Sequence, residues 1–262
     1  ERGIDGFRCD MACEVPIDFW RTTLPALRRD YPQIYLLAEG EDPALHEEAF
    51  DASYSWELHH LMNAIARGEK GAADLKAYLE KDAATTPREA FRLMFTSNHD
   101  ENSWAGTEFE RMGDAARVMA LLTFTLPKGQ PLIYTGQEIG YDHRFAFFEK
   151  DPVPQWSENE YTDFYRQLIR LRHENPVLAA GERGAEARFA ADGLLPEGIF
   201  CFSRGEGAEE VTVVANLTAA EQALALPFEG SRREFFTGAT HTGGEQVTLP
   251  AWGWMVFAPE AK

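Results

Sequence analysis

Basic residues are scarce in this chain of 262: 25 Lys and Arg stand against 43 Asp and Glu, a formal charge of -18. Such a surface repels phosphate backbones and anionic lipid headgroups, so neither nucleic acid nor a membrane is expected as a partner. A neutral ligand such as a sugar is compatible with it. Cysteine is scarce too. Cys9, Cys13 and Cys201 are odd in number, and their spacing suits neither a disulfide framework nor a four-ligand zinc site, so they read as small buried residues. No apolar run approaches the ~20 residues that span a bilayer. The first residues, Glu1-Arg2-Gly3-Ile4-Asp5-Gly6, hold neither an initiating Met nor a charged-then-apolar leader; any targeting segment is expected upstream, and the compartment stays open. Apolar side chains, by contrast, are plentiful. At 44% hydrophobic and 12% aromatic, the chain can bury the core of one large domain or two ordinary ones.

From the start to about residue 175, short apolar runs alternate with longer segments of helical spacing, the pattern of a parallel sheet with crossover helices. The strand candidates are Gly6 to Cys9, Ile34 to Ala38, Phe50 to Tyr54, Arg92 to Thr96 and Pro131 to Thr135. They read as continuous apolar runs because a parallel strand is covered on both faces. Helices are expected over Pro16 to Arg29, Trp56 to Arg67, Asp114 to Thr125 and Tyr161 to His173. In the last, Tyr161, Phe164, Tyr165, Leu168 and Leu171 form one stripe opposite Arg166, Arg170 and Arg172, and Pro176 marks the stop. After Gly181-Glu182-Arg183-Gly184 the texture changes. Short alternating segments (Gly198 to Ser203, Val211 to Asn216, Gln222 to Leu226, Gln246 to Leu249) predict an antiparallel sheet domain.

Three acidic residues follow apolar runs: Asp10 after Gly6-Phe7-Arg8-Cys9, Glu39 after Tyr35-Leu36-Leu37-Ala38, and Asp100 after Phe95-Thr96-Ser97-Asn98-His99. One such residue alone is commonly an N-cap or a turn residue. Three of them carry more weight, because the carboxyl ends of parallel strands gather at one mouth. Cleaving a glycosidic bond with retention needs a carboxylate to attack the anomeric carbon and a carboxylic acid to protonate the leaving oxygen, about 5 to 5.5 Å apart. Arg8 lies two residues before Asp10 on a strand, so its side chain points the same way and can hold that carboxylate ionised.

Gly6-Phe7-Arg8-Cys9-Asp10, Ala38-Glu39-Gly40 and Ser97-Asn98-His99-Asp100 resemble the second, third and fourth sequence motifs of α-amylase superfamily glycoside hydrolases. Gly129-Gln130-Pro131-Leu132-Ile133-Tyr134-Thr135-Gly136-Gln137-Glu138 is similar to the family's last barrel strand and following loop, and the β-rich tail to its C-terminal sandwich. The resemblance implies an α/β fold: the C-terminal part of a TIM (β/α)8 barrel, strands four to eight, over 1–182, then an antiparallel all-β sandwich over 183–262. It implies Asp10 as nucleophile, Glu39 as general acid/base, and Asp100 as a carboxylate gripping substrate hydroxyls. Arg8 is expected to orient and ionise Asp10, and His99 to hydrogen-bond sugar hydroxyls. The implied partner is a neutral α-glucan or oligosaccharide.

Tyr134 and Gln137 are given no chemistry, His59, His60 and Trp56 are read as packing residues, and Trp104 suits either a sugar ring or an apolar cover. Many α-amylases carry a Lys-His pair at the third and fourth positions after the nucleophile; Cys13 and Glu14 stand here. Ala12 and Glu14-Val15 resemble the neopullulanase and cyclomaltodextrinase branch. The family's first motif, Asp-x-x-x-Asn-His, has no counterpart, and five strands are counted where eight close a barrel. The rest of the barrel is therefore expected in cis or from another chain. No metal or cofactor is expected, since the family's calcium site draws on that other region. Transfer to a sugar acceptor, glucosyl isomerisation and an inactive fragment that keeps the fold are the alternative readings.

Overall fold

A computed structural model describes residues 3–259. The strands β1 (Gly6–Cys9), β2 (Tyr35–Ala38), β3 (Ala52–Tyr54), β4 (Phe91–Met94) and β5 (Gly129–Pro131) lie side by side in chain order, every pair parallel. Parallel neighbours need crossovers, and the chain supplies them as helices α1 (Ile17–Asp30), α2 (Trp56–Ala66), α3 (Ala72–Thr85), α4 (Glu108–Met112) and α5 (Ala116–Thr125). A sixth, α6 (Glu160–Glu174), follows the sheet. Its start is fixed by the Asn159 side chain, which accepts from the Tyr161 and Thr162 amides.

The sheet is curled. The Tyr35 hydroxyl on β2 donates to Gln130 Oε1 on β5 at 2.5 Å, although three strand spacings of about 4.8 Å separate these strands along the sheet. Only an arc lets such side chains meet. Alternation then divides the side chains between two faces. Leu36, Ala38 and Met94 point outward and are buried beneath the helices, with Trp20 and Leu24 of α1, Leu58 and Met62 of α2, and Met119 and Leu122 of α5. Arg8, Leu37, Tyr54, Leu93 and Phe95 face the hollow of the arc.

Beyond α6 the chain builds β6 (Ala187–Phe189), β7 (Ile199–Arg204), β8 (Val211–Asn216), β9 (Gln222–Ala225), β10 (Ser231–Arg233), β11 (Thr240–Thr242), β12 (Gln246–Leu249) and β13 (Trp254–Phe257). These pair antiparallel, as a four-stranded sheet β13-β8-β7-β6 and two ribbons, β12-β9 and β10-β11. The α/β arc followed by an all-β region is the predicted fold class. Phe200, Phe202, Val211 and Val213 join the same core as α5 and α6. At this junction the buried Arg204 donates to the carbonyls of Thr125, Leu126, Leu178, Ala179 and Ala185. With no acid in that set, burial pushes its pKa down to about 9.

Three details depart from the sequence reading. The fifth strand was expected at Pro131 to Thr135 and lies at Gly129–Pro131. Its ladder ends where β4 ends, at Met94 opposite Pro131, and the chain turns at Gly136 with φ of 87°. Helices α3 and α4 are not among the expected ones: α3 buries only Ala72, Leu75, Tyr78 and Leu79, and α4 is five residues long. Cys201 is buried and Cys9 half-buried, but Cys13 is exposed.

Candidate active site

Asp10 and Glu39 each follow the last residue of a strand, on adjacent strands whose register pairs Cys9 with Ala38. They therefore emerge together at the carboxyl edge. Arg8, one residue inside that edge, joins them: Nη1 donates to Asp10 Oδ1 at 2.5 Å, and Nη2 stands 3.0 Å from Glu39 Oε1 as a close ion pair. From below, Arg8 Nε donates to the Tyr54 hydroxyl at the end of β3, at 3.3 Å. One planar guanidinium thus spans three neighbouring strands, a task a lysine could not perform.

The two carboxyl groups have different surroundings. The Asp10 side chain is 75% exposed and that of Glu39 14%. Glu39 Oε2 accepts the Met11 amide at 2.7 Å, so the turn after the first carboxylate is tied to the second. Met11 itself adopts φ 44°, ψ 46°, a left-handed conformation uncommon for a residue with a side chain, and such strain clusters at functional sites. The Asp10 carboxyl is held below the usual aspartate range, first by the Arg8 hydrogen bond, then by the neighbouring Glu39, with the charges of Arg8 and His99 adding to it.

Asp100 lies six residues past the end of β4, where the chain enters a short helical turn, Glu101–Ala105. The side chain makes no capping bond there, whereas Asp42 caps its own turn through the Ala44 amide. His99 Nε2 is 3.2 Å from Asp100 Oδ2. Tyr134, given no chemistry from sequence, lies near enough that burial and then the Asp100 charge raise its hydroxyl pKa. His59 is fully buried, stacked on Phe95 at 4.9 Å and bound to Glu101 at 2.9 Å. That is the packing role expected of it.

A buried network that sequence reasoning missed fixes the loops beneath Asp100. Glu108 Oε2 accepts from the Thr96 hydroxyl and from Gln137 Nε2, each at 2.5 Å, and burial raises its pKa. Gln137 Oε1 accepts the Tyr134 amide, and Arg111 donates to the carbonyls of Thr96 and Gly106. The motifs gave no sign of Glu108, which reads as an ordinary helix-start residue. Tyr54 was detectable in principle, as the last residue of the third strand. Among the described residues no group of three or more His, Cys, Asp or Glu side chains could hold a metal ion, and no helix is long and apolar enough to cross a membrane.

This edge, with its Arg8-bridged carboxylates, coincides with a sequence match: residues 1–155 fit the profile of the α-amylase catalytic domain. The chain belongs to the α-amylase family. Its relatives include the α-amylase MalA of Haloarcula japonica, 26% identical over 94% of this chain and 37% of its own length. A cyclomaltodextrinase of a Bacillus species is 30% identical over 69% of this chain and 34% of its own. Among solved structures, an α-amylase of Lactobacillus plantarum superposes with a TM-score of 0.78 at 24% identity, covering 97% of this chain and 62% of that one. The chain spans well under half the length of these curated relatives.

Proposed function

We propose that this chain carries the reacting carboxylates of a retaining glycoside hydrolase acting on α-1,4-linked glucans or maltooligosaccharides, as part of a longer catalytic barrel. The observation that carries the reading is Arg8 held between Asp10 and Glu39 at 2.5 and 3.0 Å. Asp10, kept ionised by Arg8, attacks the anomeric carbon while Glu39 gives its proton to the departing glycosidic oxygen. The C–O bond to the leaving sugar breaks as the bond to Asp10 Oδ forms. Glu39, now a carboxylate, takes a proton from water, whose oxygen displaces Asp10 and releases the sugar. Asp100 and His99 grip hydroxyls of the distorted ring, and these contacts strengthen as positive charge develops.

The names of the relatives support the substrate class. The half-open hollow of the arc supports completion of the site by further strands, in cis or from another chain, so the 262 residues alone are expected to show negligible turnover. In the full-length protein, Asp10→Asn should lower kcat on maltotriose by about 10⁴-fold or more while leaving the melting temperature near that of the wild type. Wild-type rates in that variant would remove Asp10 from the chemistry.

A further inference from the structure

A buried arginine on the far side of the sheet from the carboxylates holds the loop that follows Glu39. Arg92 lies next to Leu93 on β4, and alternation sends it to the outer face, where it is 3% exposed. Its guanidinium has partners on three other segments. Nη2 donates to Glu41 Oε1 at 2.5 Å, Nη1 donates to Ser53 Oγ on β3 at 2.5 Å, and Nε stands 3.2 Å from Asp82 Oδ1 on α3. Lys128 Nζ lies 3.3 Å from the other oxygen of Asp82. Met94, two residues on and on the same face, packs in an apolar core, so the strand itself does not call for a charge at Arg92.

Glu41 is two residues past Glu39. Its second oxygen, Oε2, accepts the Glu57 amide at 2.8 Å in the first turn of α2. That helix has no side-chain cap of its own, because the Ser55 hydroxyl donates to the Leu93 carbonyl instead, and Glu41 takes the place of one. Further along the loop, His46 ends a short helical turn, Pro43–His46, and its Nε2 meets Ser53 Oγ at 2.9 Å. Arg92 can only donate, so the Ser53 hydroxyl is left to donate to His46 Nε2, and the ring then carries its proton on Nδ1, 3.3 Å from the Phe50 carbonyl. A neutral ring suits this place: burial, then the Arg92 charge, hold His46 below the usual histidine range. Between Glu39 and Glu41 the backbone has no slack. The Glu39 amide donates to the Cys9 carbonyl at 2.9 Å, the Gly40 carbonyl accepts the Tyr54 amide at 3.1 Å, and a Cβ at Gly40 would overlap Cys13 Sγ.

We propose that Arg92 is a positioning residue for Glu39, acting through Glu41: it fixes where the loop leaves the strand edge, and so where the carboxylic acid meets the glycosidic oxygen. The proposal rests on the reading of Glu39 as the acid/base. Arg8 grips the Glu39 carboxyl from inside the arc, and Arg92 grips its loop from outside. A buried ion pair gives little net stability over apolar packing of the same size, but its directional bonds hold one arrangement. Proton donation needs hydrogen-bond contact with the departing oxygen, and a displacement of about 1 Å costs on the order of 10²-fold in rate. The whole cluster is closed by β2, β3, β4, α2 and α3, all within the described residues.

The test separates proton donation from the rest of the reaction. A sugar leaving as an alkoxide needs the acid, whereas fluoride, a far weaker base, leaves with little help. In the full-length protein, the ratio of kcat/KM for maltotriose to that for α-maltosyl fluoride should fall about tenfold in Arg92→Met and in the milder Glu41→Ala, and further in Glu39→Gln. Both substrates meet the same folded molecules, so any loss of folded protein cancels from the ratio. Azide, which attacks the enzyme-bound sugar without giving up a proton, should raise fluoride turnover in the same three variants and leave the wild type unchanged. A ratio lowered in Glu39→Gln but unchanged in Arg92→Met and Glu41→Ala, with both substrates losing equally, overturns the positioning role and leaves the cluster to stability alone. A ratio unchanged in Glu39→Gln itself removes Glu39 as the acid, and the proposal with it.

Discussion

The two faces of the parallel arc treat neighbouring residues of the second strand differently. Outward, Leu36 and Ala38 are fully buried; inward, their neighbours Tyr35 and Leu37 are half-exposed. The outer face is sealed by α1, α2, α5 and α6 and supplies stability. The inner face is covered unevenly: Tyr54, Leu93 and Phe95 are buried in a small cluster of their own, whereas Tyr35, Leu37 and Arg8 stay partly exposed beside the rim groups Asp10 and Glu39. Residues one apart in sequence thus serve separate ends, because a strand sends alternate side chains to opposite faces. The rim is where polar groups lie half-covered, close enough to perturb one another and open enough to meet a ligand.

The largest expected effect compares those neighbours directly. In the 262-residue chain, Leu36→Ala should lower unfolding stability by about 3 kcal/mol, the cost of a cavity in a closed core. Leu37→Ala should lower it by about 1 kcal/mol, because water already reaches that side chain. Denaturant titration measures both. If further strands close the hollow in the full-length protein, the two losses converge there, and a gap that persists would contradict closure. A smaller effect concerns the rim. Asp10 is held low chiefly by Arg8, so its reactive ionised form survives to a pH below the usual aspartate range. An acid whose folded pKa is depressed stabilises the fold above its unfolded pKa and loses that contribution as pH falls through the folded one. Asp10 is exposed, so the effect reads out in rate, not stability. In Arg8→Leu the acid limb of kcat/KM should move to higher pH, and an unmoved limb would detach Arg8 from Asp10.

Much of this was legible in the sequence for a physical reason. Asp10 and Glu39 each sit directly after a short strand, so local pattern gives their position, and Arg8 is two residues from Asp10, which fixes its direction. The strands β1 to β4 were found because continuous apolar runs mark them. The fifth was misplaced because Leu132, Ile133 and Tyr134 extend the apolar run past the last rung of the ladder. What could not be read depends on distant chain. Phe147 stacks on His99 from a segment far along the chain, Tyr54 reaches Arg8 across 46 residues, and Glu108 meets Gln137 across 29. Cys13 could not be told from the buried Cys201 because composition does not report which loop residue faces solvent.

The most direct measurement is covalent. A glucosyl fluoride bearing fluorine at C2 destabilises the charge needed to release the enzyme-bound sugar, so it should accumulate on the full-length protein. Peptide mass spectrometry is predicted to place that sugar on Asp10, with the adduct absent from Asp10→Asn. An adduct on Glu39 or Asp100, or turnover with no adduct on Asp10, would contradict Asp10 as the nucleophile.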